Sequence, residues 1–195
     1  MSLRKEIIAV NYVRGFAPWL CYAVLGAFDW RLGMCTAATA AVLLLLGAVR
    51  RQGADLLSAA TCGFFVVMAV IAVADPTSGL HRWTCALANA TLAAVALGSL
   101  AVGKPFTLSF ARAEVPEEFW NAPRFIHVNK VLTGIWAAGF TGAAIACAAI
   151  VGCAHSAAAA LVTVQVLGFV VPFVLSGKYA ARAQAAADQR VDPAV

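Results

Sequence analysis

Apolar residues fall into six long runs separated by short polar or basic breaks. A membrane-crossing helix needs about 20 mostly apolar residues. On that measure, spans are expected at about 9–28, 32–49, 56–74, 83–103, 131–153 and 157–177. The third stops at Asp75-Pro76-Thr77-Ser78-Gly79, the fourth at Gly103-Lys104-Pro105 and the sixth at Gly177-Lys178. The first is the least regular, because Arg14 and Pro18 interrupt it. Its clean stretch from Phe16 to Phe28 makes only about 20 Å of helix. Either a helix starts near Leu3 with a polar first turn and crosses fully, or it enters partway. The full crossing is the expectation, with Arg14 reaching the headgroups by its long side chain. The basic start runs into no clean apolar core with a small-residue cleavage site, so it is expected to stay in the mature chain.

Composition supports this frame. Hydrophobic residues make up 63% of the chain and charged residues 12%, against about 45–50% and about 25% in an average soluble domain. Such a chain has too little polar surface to dissolve as one compact domain. It is too apolar for intrinsic disorder, and collagen, coiled coil and disulfide-stapled secreted scaffolds fail on the same composition. The fold class expected is all-α: a polytopic transmembrane bundle forming one integral membrane domain over residues 1–195.

The net charge of +5 bears on topology more than on nucleic acid, because the charges sit at the ends of apolar runs. With the N-terminus inside, the inner set is Arg4, Lys5, Arg14, Arg50, Arg51, Lys104, Arg112, Arg124, Lys130, Lys178, Arg182 and Arg190. The outer set is Arg31 and Arg82. The positive-inside rule therefore places both termini in the cytoplasm, with the lipid bilayer of a plasma membrane as the surroundings. The outer connections are short. The substantial loop, 104–130, is cytoplasmic, as is the tail 178–195. Three even-numbered spans end on glycine followed by a basic residue, which helix-end chemistry explains without invoking a repeat.

Candidate chemistry inside the spans is sparse. Apart from Arg14, none carries an ionisable group at its middle, whereas pumps and proton-coupled transporters need such groups. Asn89 and Gln165 are the amides near mid-span, and bonding between helices is their expected role. Small residues dominate the fifth span, and Gly98, Gly139 and Gly142 are candidate close-packing positions. The cysteines, Cys21, Cys35, Cys62, Cys85, Cys147 and Cys153, show no CxxC spacing and no zinc-site histidine beside them. Cys35, Cys85 and Cys153 approach the outer face, yet no bridge is expected. His81, His127 and His155 lie on two sides of the membrane and share no metal. No cofactor or metal ligand set is expected, and no membrane-enzyme catalytic motif occurs.

The loop 104–130 has more character. Pro105 ends or bends the fourth span. Pro116-Glu117-Glu118 reads as the first turn of a short helix that stops before Pro123. Phe106, Phe110, Phe119, Trp120 and Phe125 suit a membrane–water interface. Glu117 and Glu118 are adjacent, so they face apart and make a poor acid–base pair.

With these residues in view, the chain resembles the bacterial intracellular septation protein A family of inner-membrane proteins. Thr36 onward to Arg50-Arg51 is similar to the family's alanine-rich span and basic turn. Lys104-Pro105 closes a span as the family's Lys-Pro does. Glu114, Pro116, Trp120, Asn129 and Trp136 resemble its spaced acid, proline, tryptophan, asparagine and tryptophan. The likeness covers roughly residues 16–150; the stretch before Arg14, Asn121 to His127 and the tail depart from it. The resemblance implies a non-enzymatic inner-membrane protein, without a cofactor, that supports cell-envelope synthesis and septation by contacting division and elongation proteins. Lys104, Pro105, Arg112, Glu114, Pro116, Trp120, Asn129 and Trp136 are then the candidate interaction or interfacial residues. Self-association through small residues is a further expectation. A small-molecule or lipid transporter is the alternative, followed by a headgroup-level enzyme using Lys104, Arg112, Glu114 and Glu118.

Overall fold

A computed structural model describes residues 17–26, 28–51, 55–112, 115–153 and 158–191, with side chains for all of these except 51 and 186–191. Much of the expected first span, as well as Glu114 and the end of the tail, lies outside the described residues. The described chain is helical without strands. Helix α1 covers 17–25, α2 Trp30–Arg51, α3 Leu56–Ala74, α4 Leu80–Ala101, α5 Thr107–Arg112, α6 Pro123–Cys153 and α7 Ala158–Val191; a 3₁₀ turn covers Glu117–Phe119. Five of these, α2, α3, α4, α6 and α7, are long and apolar enough to cross a membrane. Large apolar side chains, such as Leu43, Val70, Ile145 and Phe173, lie exposed, while Thr84, Asn89, Ser99, Asn129 and Thr133 are buried. The buried set also includes apolar residues such as Met34, Phe65 and Phe140, and so large an exposed apolar surface fits surroundings of hydrocarbon.

The chain divides into two compact units, Met1–Arg82 and Trp83–Val195. In the first, α2 and α3 form a hairpin. Asp29 opens α2 by accepting a hydrogen bond from the Leu32 backbone N–H at 2.7 Å. Asp55 caps α3, accepting from the Ser58 N–H at 2.9 Å and the Ser58 hydroxyl at 2.6 Å. Each cap satisfies an amide that the first helical turn cannot. Met34, Ala37, Ala38 and Ala41 of α2 share a buried cluster with Cys62, Phe65, Met68 and Ala72 of α3. Alanines let the backbones approach, and the larger side chains of α3 fill the space. Trp19 of α1 stacks on Phe64 at 5.7 Å and meets Phe65 edge-on at 4.7 Å.

In the second unit, the buried face of α6 is Asn129, Thr133, Ala137, Phe140, Ala143, Cys147 and Val151. The spacing of three and four keeps one stripe inward along nearly the whole helix. Helix α6 has 31 residues and α7 has 34, about 46 and 51 Å long at 1.5 Å per residue. Both exceed the roughly 30 Å of bilayer hydrocarbon. Helix α6 starts at Pro123, so residues 123–130, expected within a loop, are its first two turns. Proline at a helix's first position gives up an N–H that has no partner there anyway.

Candidate functional site

The chemistry-bearing side chains of the second unit gather in two places, near opposite ends of the α6 stripe. At the Lys104 end, α4 closes in a Schellman turn. The Lys104 N–H donates to the Ser99 carbonyl at 2.9 Å and the Gly103 N–H to the Leu100 carbonyl at 3.0 Å. Gly103 has φ +75°, a conformation that side chains other than glycine's adopt at a cost. Lys104 itself points to solvent, while Pro105 is buried.

The chain then folds back. Ser99 Oγ donates to the Ala96 carbonyl at 2.8 Å and accepts from the Phe106 N–H at 3.1 Å. Thr107 Oγ1 donates to the Asn129 carbonyl at 3.0 Å and lies 2.8 Å from Thr133 Oγ1. A hydroxyl has one hydrogen, so Thr133 supplies the second bond. Asn129 Nδ2 donates back to the Phe125 carbonyl at 2.9 Å. Helix α5 is thereby latched onto α6 by two hydroxyls. Leu108 is buried beneath it.

Beyond α5, Trp120 Nε1 donates to the Val115 carbonyl at 2.9 Å. The Arg112 guanidinium sits 5.2 Å from the centroid of the Trp120 ring, a cation–π distance. Pro116, Glu117 and Glu118 are exposed. The short helix expected from Pro116 is the three-residue 3₁₀ turn Glu117–Phe119. Arg124 Nη2 donates to the Ala183 carbonyl at 2.6 Å, tying the start of α6 to the extension of α7.

Toward the Cys153 end lies the amide cluster. Asn89 Nδ2 donates to Gln165 Oε1 at 2.7 Å and to the Cys85 carbonyl at 2.9 Å. Cys85 of α4 and Cys147 of α6 are bridged, with Cα atoms 6.1 Å apart. The expectation of no bridge concerned Cys35, Cys85 and Cys153, and none joins those three to one another; the bridge runs instead to Cys147, which α6 turns inward against α4. Cys35 and Cys153, considered with Cys85 for the outer face, are free.

Between the two clusters, α6 and α7 approach closely. A Cβ at Gly139 would overlap Pro172 of α7, and one at Gly168 would come within 2.8 Å of Ala143 Cβ. Pro172 lacks an N–H for the carbonyl four residues back, Gly168. That carbonyl lies 3.4 Å from where a Gly139 Cβ would be. Glycine at 139 therefore admits both the proline ring and the Gly168 carbonyl beside it. Among the described residues, nothing lies within 4 Å of a Cβ built at Gly98 or Gly142, whereas Gly139 packs directly against α7. Trp136 joins a separate aromatic group, 5.4 Å from Phe140 and 6.3 Å from Phe169.

Of the sequence-derived residues, Pro105, Asn129 and the Lys104 backbone therefore belong to one latch. Arg112 and Trp120 form a clasp beside it, and Trp136 stands apart. Sequence reasoning missed Gly168, Pro172, Thr107 and the role of Cys147. A proline within an apolar run was the available signal for Pro172; the others depend on which way each helix is turned. These features define an all-helical protein built for a membrane. No family model, curated protein or solved structure matches the chain.

Proposed function

We propose that this chain is a multi-pass protein of the bacterial inner membrane, with six spans and both termini in the cytoplasm. It acts as a non-enzymatic scaffold for cell-envelope synthesis and septation by contacting division and elongation proteins. The observation that carries this reading is the bond from Asn89 to Gln165. The amides near mid-span are engaged with each other across α4 and α7, so the strongest polar groups at that depth hold helices together. The latch at the Lys104 end adds support. It gives Pro105 and Asn129, two residues of the septation protein A resemblance, the task of shaping a surface next to Arg112 and Trp120. Such a surface suits recognition by other membrane proteins at the headgroup level, because aromatic and arginine side chains are favoured in protein contacts.

Proximity crosslinking in cells, from a tag after Val195, tests the proposal. Division and elongation proteins should be enriched, and loss of the chain should change cell length or tolerance of envelope stress. Loss of uptake or export of one metabolite or lipid, with normal cell length, would reject the scaffold in favour of the transporter.

A further inference from the structure

We propose that the outward face of α7 binds an anionic phospholipid, with Lys178 and Arg182 holding its phosphate and an apolar track below them taking an acyl chain. The site needs only that α6 and α7 cross a bilayer, and does not depend on the scaffold. Helical register is the first ground. Leu167, Val171, Val174, Lys178 and Arg182 follow one another at spacings of four, three, four and four, which places them on one stripe of the helix. All five are exposed. Helix α7 packs against α6 through Gly168 and Pro172, which leaves this stripe outside the contact.

Depth is the second ground. Counted from Ala158, the first residue of α7, about 20 residues cross the roughly 30 Å of hydrocarbon and end at Gly177. Lys178 and Arg182 then lie about 1.5 and 7.5 Å further on, in the headgroup layer, which adds about 5–7.5 Å at each face. From Lys178 back to Leu167 is about 16 Å along the helix, close to the hydrocarbon depth of one leaflet, about 15 Å. The stripe therefore has the outline of one phospholipid: charge at headgroup level and an apolar track one leaflet deep.

The third ground is charge. From Phe119 to Ala187 the sequence contains no Asp or Glu, so the α6–α7 hairpin has no carboxylate of its own to neutralise these cations. The loop before it is different: Lys104 and Arg112 stand there with Glu114, Glu117 and Glu118. Arg124 adds a third cation at the same end of α7, because its Nη2 donates to the Ala183 carbonyl at 2.6 Å. A guanidinium has five N–H donors, so Arg124 keeps others for a phosphate oxygen while it holds α6 to the extension of α7.

These features select the class of ligand. Basic residues beside a spanning helix attract anionic lipids. A zwitterionic phospholipid brings its own ammonium group and leaves Lys178 and Arg182 uncompensated; an anionic one neutralises them. A soluble polyanion would meet the cations but gain nothing from Leu167, Val171 and Val174, which lie below the headgroups. The anionic phospholipid is the ligand that uses the whole stripe.

The test reconstitutes the full chain in vesicles of equimolar phosphatidylglycerol and phosphatidylcholine, extracts it gently and counts the lipids it retains by mass measurement. Phosphatidylglycerol should be retained in preference to phosphatidylcholine. Lys178→Gln and Arg182→Gln should each lower that preference about fivefold, the equivalent of about 1 kcal/mol per basic residue at an anionic surface. Lys178→Arg should keep it. Arg31→Gln, an exposed cation at the start of α2, should leave it unchanged. Extraction in about 1 M salt, where charges are screened beyond about 3 Å, should reduce the preference of the parent chain, a result that stands whether or not the variants fold. Equal retention of the two lipids would overturn the proposal, as would a preference that Arg31→Gln lowers as much as Lys178→Gln. So would polyphosphate binding to the chain in pure phosphatidylcholine vesicles through Lys178 and Arg182, with no lipid preference in the mixed ones.

Discussion

The two units pack their helices by different means. In the first, α2 and α3 meet through methyl groups, thioether and ring: Met34, Ala37 and Ala41 opposite Phe65 and Met68. The inward face of α3 adds the Thr61 hydroxyl and the Cys62 thiol, whereas in the second unit the inward stripe of α6 carries the Asn129 amide, the Thr133 hydroxyl and Cys147, bridged to α4. Apolar matching in hydrocarbon gives attraction but little direction, because lipid tails are as apolar as the side chains they replace. A hydrogen bond or a disulfide fixes rotation and register. The second unit is accordingly the one whose arrangement specific polar atoms define, and the one whose ends present Arg112, Trp120 and the cysteine pair.

The comparison breaks first at Phe65. It is fully buried and central to the first unit, so Phe65→Ala should cost about 3–5 kcal/mol. Reversible unfolding in mixed micelles measures this; a loss below about 1 kcal/mol would mean that the α2–α3 cluster is not what holds that unit.

The next largest effect separates two glycines three residues apart. Gly139→Leu drives a side chain into Pro172 and should cost about 1–3 kcal/mol through overpacking. Gly142→Leu faces open space in the chain and should stay within about 0.5 kcal/mol. The same unfolding measurement, in detergent that keeps the chain monomeric, distinguishes them. Equal losses would show that α6 is rotated from the arrangement described.

A smaller effect belongs to the clasp. Trp120→Phe keeps a ring beneath Arg112 and removes the bond to the Val115 carbonyl, worth about 0.5–1.5 kcal/mol. Hydrogen exchange at residues 115–120 should speed up by a corresponding factor while the five long helices stay protected. At the bottom of the scale, Glu117→Ala and Glu118→Ala, both exposed, should change stability by less than about 0.5 kcal/mol. They should also complement a deletion strain at matched abundance. A loss of function from Glu118→Ala alone would raise the headgroup-level enzyme above the scaffold.

The long apolar helices were legible because hydrocarbon selects for continuous runs, and the close of α4 because Gly103-Lys104 carries its own backbone signal. The start of α6 was not. Arg124, His127 and Lys130 make residues 123–130 look like loop to any reading based on apolarity. Yet Asn129 and Thr133 continue the inward stripe of Ala137 at spacings of four, with polar side chains that such a reading cannot count. Pro123 was legible as the stop of the short turn before it, and the same residue is the first of α6. Asn89 and Gln165 could be named as helix-bonding amides, but not paired, because pairing depends on the rotation of α4 and α7. The same limit hid Cys147 among six cysteines and left Gly139 indistinguishable from Gly142 until Pro172 was placed against it.

The central claim is that the amides near mid-span bind helix to helix. A double-mutant cycle on Asn89→Leu and Gln165→Leu, unfolded reversibly in mixed micelles with reductant present, tests it most directly. The two substitutions should couple by about 0.6–1.7 kcal/mol, the range seen for hydrogen bonds between helices in membranes. Strict additivity, with each single variant as stable as the parent, would contradict the account: Asn89 and Gln165 would then be available to something other than each other.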